Sequence, residues 1–201
     1  MSGPLIRRLS SRLMALLVAS TLSVAVAEPA SAGRPYCGQV WGSQAKSAGV
    51  SRHTGLSYPV IDVRTGRHPC FDRLVVDVAD RATAVSVRYV DRVAAPGAVP
   101  VRLVGSATLL VEVDHGIDPA GRFYSRLRPA GDDTTYRVGD VSAFRTLREV
   151  RWLANMHPTQ FGVGVGARLP FRVFVLNSPA GGSRLVVDVG HRWCAPGARD
   201  C

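Results

Sequence analysis

The side chains in this 201-residue chain whose types and spacing could do chemistry are Arg73 and Asp77, and again Arg184 and Asp188. A guanidinium is a permanently charged, planar fork of donors that matches carboxylates and phosphates. A carboxylate beside it can orient that fork or accept from sugar hydroxyls and amides. Both pairs lie inside one hexapeptide, Arg-Leu-Val-Val-Asp-Val, which runs from Arg73 to Val78 and recurs unchanged from Arg184 to Val189. A short run of branched apolar residues between turn formers reads as a β-strand. Side chains alternate across a strand, so Leu74, Val76 and Val78 face a core while Arg73, Val75 and Asp77 face away from it. The second copy sorts identically. The same pattern also serves plain solvation of an outer face. A recurrence after 111 positions suggests two related halves and is far too long for a solenoid.

Other chemistry finds little support. The five histidines, His53, His68, His115, His157 and His191, are dispersed, with no pair at helical spacing for a metal. Ser183 lies in Gly-Gly-Ser-Arg, which lacks the G-x-S-x-G elbow of a nucleophile. Asp132-Asp133 suits a turn. No glycine-rich loop leads from a strand into a helix, so a nucleotide site has no basis. The expectation is a chain without catalytic residues, metal ligands or cofactor. One alternative is a small secreted wall hydrolase whose His and Asp residues are assembled by the fold, and another is a structural partner for a second exported protein through an exposed edge strand or apolar patch.

The amino terminus sets the compartment. Arg7, Arg8 and Arg12 precede an apolar run from Leu13 to Val26, and Ala25-Val26-Ala27 and Ala30-Ser31-Ala32 offer small-residue cleavage sites, the second favoured. Residues 1–32 therefore read as a signal peptide, since the apolar run is shorter than the roughly 20 residues a spanning helix needs. No second apolar run follows, so the mature form is expected to be exported without a transmembrane segment. Cys37, Cys70, Cys194 and Cys201 all lie beyond that site, and an even count in an exported chain implies disulfides. Three connectivities are possible, and proximity favours Cys37–Cys70 with Cys194–Cys201. Arginine supplies all basic residues except Lys46, and removal of the leader leaves a net charge of about +8. Such a chain is drawn to anionic polymers. Outside a cell these are wall polymers or lipid headgroups, and the arginines lack the aromatic interleaving of a nucleic-acid binder.

Positioning falls to strands. Residues 33–58 read as a loop-rich arm anchored by Cys37 and Trp41. Strands are expected at 60–63, 70–78, 84–90, 99–104, 108–114, 142–153, 161–166, 169–176 and 184–189, with residues 116–140 an extended loop holding short strands. In Phe161-Gly-Val-Gly-Val-Gly166 the glycines share one face, which usually marks the close approach of another backbone or a ring. The reading is an all-β, two-layer sandwich of about nine short, mostly antiparallel strands with two related halves, spanning residues 59–193 and followed by a tail at 194–201.

Certain blocks carry a family resemblance. Cys37-Gly-Gln-Val-Trp41-Gly-Ser, Val63-Arg-Thr-Gly-Arg-His-Pro-Cys-Phe-Asp-Arg-Leu-Val75, Ala167-Arg-Leu-Pro-Phe-Arg-Val173 and Arg184-Leu-Val-Val-Asp-Val-Gly-His-Arg-Trp193 resemble the secreted actinobacterial proteins that carry an AMIN-like domain. That resemblance implies a sandwich similar to the AMIN domains of cell-wall amidases. It also implies a role in holding an exported, wall-associated protein on peptidoglycan or an attached anionic glycan. By the same analogy Arg73 and Asp77 map to the outer face of one sheet, and Arg184 and Asp188 to the outer face of the other. Placed antiparallel on neighbouring strands, the two hexamers would instead be charge-complementary, Arg73 opposite Asp188 and Asp77 opposite Arg184. Residues 151–159 and the tail with Cys194 and Cys201 depart from the family pattern, and no amidase domain accompanies the module.

Overall fold

The computed structural model describes residues 36–51 and 60–193, apart from 82, 119, 121–122, 133–134, 155–156 and 179–180. The expected signal peptide, and Cys194 and Cys201 with their expected disulfide, lie outside the described residues. Runs rich in Val, Leu and Phe build the strands that the hexamers announce. In chain order these are β1 (Lys46–Gly49), β2 (Val60–Arg67), β3 (Phe71–Val78), β4 (Ala84–Val90), β5 (Ala107–Val113), β6 (Arg128–Pro129), β7 (Tyr136–Arg137), β8 (Leu147–Trp152), β9 (Thr159–Val165), β10 (Phe171–Asn177) and β11 (Ser183–Gly190). Helix is confined, among the described residues, to two single turns of three residues, and none is long and apolar enough to cross a membrane.

The strands form two antiparallel sheets that do not close into a barrel. One holds seven strands in the order β1-β4-β5-β9-β8-β7-β6, the other four in the order β10-β11-β3-β2. Their inner faces share one apolar cluster, with Val63, Leu74, Val76, Phe171, Leu185 and Val187 from the small sheet. Val85, Val87, Leu109, Val111, Phe161 and Val163 come from the large one. Burial of such faces is the main favourable contribution to folding. A polar link crosses the same space. The buried Asp72 carboxylate of β3 accepts from the Thr146 and Leu147 amides at 2.5 and 3.1 Å, and lies 3.2 Å from His191 Nε2.

Three expectations need correction. The described strands number eleven rather than about nine, because the arm contributes β1, which pairs with β4, and residues 128–137 form a minimal hairpin. Residues 99–104 are not a strand: only a single bridge joins Val93 and Val101. Pro100 has no amide to donate to a ladder, and the segment instead crosses the outer face of the large sheet, where Leu103 packs with Val93, Leu110 and Leu153. It passes over the glycine face of β9. A Cβ on Gly162 would come within 2.8 Å of Leu103, and one on Gly164 would collide with the Val104 carbonyl. The two hexamers, finally, do not sit on opposite sheets. They are β3 and β11, adjacent and antiparallel in the four-stranded sheet, with Arg73 opposite Asp188 and Asp77 opposite Arg184. Like charges would have faced each other in a parallel alignment, whereas the antiparallel register sets opposite charges together.

Candidate surface on the four-stranded sheet

Pairing the hexamers concentrates charge on one outer face. Arg73 donates from Nε and Nη2 to the Asp188 carboxylate at 2.5 and 2.9 Å, a fork-to-fork geometry. Asp188 has no solvent exposure, and its second partner is Arg172 of β10, which donates from Nε at 2.8 Å. A carboxylate so enclosed is out of reach of any ligand. What it does is hold two guanidiniums in place, and those stay accessible, the Arg73 side chain 23% and that of Arg172 41% exposed.

The second pair departs from its mirror. Asp77 stands opposite Arg184 in the register, yet its carboxylate is taken by Arg64 of β2 through two bonds of 2.7 and 2.9 Å. Hydrogen bonds to their carboxylates raise the pKa of Arg64 and Arg73 above the usual guanidinium value, with burial opposing. Arg184 has no such partner: its Nε is buried and finds no acceptor among the described residues. Donors in this state are costly unless something external satisfies them. Arg184 and Arg64 both line two depressions. One, of about 200 Å³, is bounded by Arg64, Arg73 and His68 over a floor that includes Gly66. The other, of about 650 Å³, is bounded by Asp62, Asp77 and Ser183. Asp62 at this rim is already paired with Arg126.

Aromatic rings frame the charged groups. The Arg172 guanidinium lies 4.5 Å from the Trp41 ring and 5.0 Å from that of Phe174. Arg73 lies 5.1 Å from Phe71, and His68 stacks on Phe71 at 4.4 Å. Trp41 reaches this face because the Cys37–Cys70 disulfide pins its segment to the start of β3. Sequence reasoning missed Arg64, Arg172 and Phe174. Their signal was strand parity, since Arg172 and Phe174 share a face and so do Arg64 and Gly66. Which strands flank the hexamers is a tertiary matter.

His53 lies outside the described residues, and no cluster of the others is seen among those described. His191 is held by Asp72, His115 is buried 3.9 Å from Asp114, and His68 belongs to the aromatic cluster. Among the described residues no group of three or more His, Cys, Asp or Glu could hold a metal ion.

An open antiparallel sandwich that displays its charged groups on a sheet face defines the class of domain. The particular family follows from the sequence: a model of the AMIN-like domain matches residues 58–191, and the chain belongs to that family. The family is one of cell-wall-related binding and targeting modules, generally non-catalytic. No curated protein matches the chain.

Proposed function

We propose that this protein is a non-catalytic, exported module that binds the cell envelope through the outer face of the four-stranded sheet. Its ligand is peptidoglycan or an anionic polymer attached to it. The observation that carries the reading is Arg184, whose guanidinium has no partner among the described residues, set between neighbours that are already fixed by Asp77 and Asp188. Guanidiniums with their geometry set in advance lose less freedom when they meet a carboxylate or phosphate. The flanking Trp41, Phe71 and Phe174 rings add apolar surface for the carbon skeleton of a sugar. Membership of a family of wall-related modules supports an extracellular compartment.

The test is retention on purified sacculi. Wild-type protein is expected to co-sediment, and Arg184→Ala to lose most of that retention while melting at an unchanged temperature. Equal retention of both proteins at moderate salt would remove this face from consideration. Loss of both on a small rise in salt would reduce the attraction to net charge.

A further inference from the structure

The face carries two copies of one charge motif, and they are built from different strands. Arg73 and Arg172 share Asp188 at one end. Arg64 and Arg184 flank Asp77 at the other, the first bonded and the second opposite in register. Each trio holds two guanidiniums and one carboxylate, so each has one unneutralised positive charge. The two carboxylates that organise them occupy opposite ends of antiparallel copies of one hexamer. The ends of such a copy, four residues apart, are separated by roughly 13 Å along the strand. Between them lie Val75 and Val186, which carry no charge and are almost wholly covered.

We infer that this face is selective for a polymer carrying repeated single negative charges, phosphodiester or carboxylate, which it grips at two places at once. The inference rests on the wall-binding reading and narrows its ligand from peptidoglycan in general to the anionic chain. One isolated anion can engage only one trio, and a neutral glycan engages neither charge. A chain with several monoanions engages both, and the second contact then forms at high effective concentration. The aromatic rings near Arg172 serve the backbone between the charges, whichever anion it bears.

The test titrates the whole chain with four defined probes: an oligomer of glycerol phosphate, an oligogalacturonate, glycerol phosphate itself and a neutral N-acetylglucosamine oligomer. The variants are Arg184→Gln, Arg172→Gln and the double substitution. Arg184→Gln breaks no ion pair, and Arg172→Gln leaves Asp188 its two bonds from Arg73. Unchanged melting temperatures confirm that both fold. At least one anionic oligomer is expected to bind roughly tenfold or more tightly than the monomer. The slope of log affinity against log salt is expected to fall by about one in each single variant, and by about two in the double variant. The stronger of the two oligomers identifies the anion. Equal affinity for oligomer and monomer, equal affinity for the neutral glycan, or a slope that neither variant changes each overturns the inference. A separate arm compares intact sacculi with sacculi stripped of phosphodiester polymers. Equal retention on both, combined with failure of both anionic oligomers, overturns the anion selectivity and leaves wall binding standing. Retention on neither overturns the wall-binding reading, and the oligomer titration then decides the selectivity by itself.

Discussion

Asp188 and Arg184 have the same origin in a repeated hexamer and opposite fates. Asp188 is a fully buried carboxylate compensated by two guanidiniums. Removing the charge from one partner of a buried pair is far costlier than its formation was favourable. Asp188→Asn is therefore expected to lower unfolding stability by about 3 kcal/mol, read from a denaturant midpoint. The Arg184 side chain makes no bond among the described residues, so Arg184→Ala should lower stability by no more than about 0.5 kcal/mol, the range of ordinary surface substitutions. The contrast separates the residue that organises the face from the residue free to contact a ligand. Tyr89 offers a titration. Its hydroxyl donates to the Leu169 carbonyl at 2.7 Å and accepts from the Leu169 amide at 2.8 Å, and burial pushes its pKa up to about 12. A pKa raised on folding means stability that is complete below about 10, the value of a free phenol, and is lost as pH rises towards 12. Wild-type protein should weaken over that window, and Tyr89→Phe should flatten the loss in a pH series of thermal melts.

At the scale of elements, β9 shows a strand shaped by what crosses it. Gly162 and Gly164 face the segment that carries Leu103 and Val104, and a methyl on Gly164 would meet backbone that cannot step aside. Gly164→Ala is expected to destabilise by about 1–3 kcal/mol through overpacking. Gly66 of β2 is the control, since the nearest atom to an added Cβ is the His68 ring at 3.8 Å. Gly66→Ala should be neutral within about 0.5 kcal/mol. Denaturant melts of the two variants check both values. The outer face of the large sheet has its own polar links. Glu149 accepts from the Val104 amide at 2.8 Å and from Arg151 at 2.7 Å, which fixes the crossing segment against β8. Glu112 on β5 is drawn upward in pKa by burial, but the Arg88, Gln160 and Ser86 hydrogen bonds outweigh this and leave it lowered. Its contribution is present above the ordinary carboxylate pKa and fades as pH falls through the lowered value.

For the molecule as a whole, the arm and its disulfide join the surface to the sandwich. Cys37 and Cys70 are 33 residues apart in sequence, and a loop of that size restricts the unfolded chain by about 3–4 kcal/mol in the chain-entropy account. Reduction, or Cys37→Ser, should lower the denaturation midpoint accordingly. It should also free Trp41 from Arg172, visible as a change in tryptophan emission before global unfolding. In the proposed function, the net positive charge draws the molecule to an anionic surface and the four-stranded face selects what it holds there.

The local pattern of the chain determined a good deal by itself. Alternation of period two made Leu74, Val76, Leu185 and Val187 core residues and put Arg73, Asp77, Arg184 and Asp188 on the other face, because a strand has only two sides. The glycine face of β9 likewise announced a close crossing, since only a missing side chain makes room for one. What the chain order could not say is which strands become neighbours. Residues more than a hundred positions apart meet as β3 and β11 by closing a long loop whose outcome no local propensity encodes. That pairing buried Asp188 between two arginines, gave Asp77 to Arg64 rather than to Arg184, and left the Arg184 guanidinium without a partner among the described residues. Identical hexamers thus acquired unequal roles, because partners are set by the surroundings of a strand and not by the strand alone.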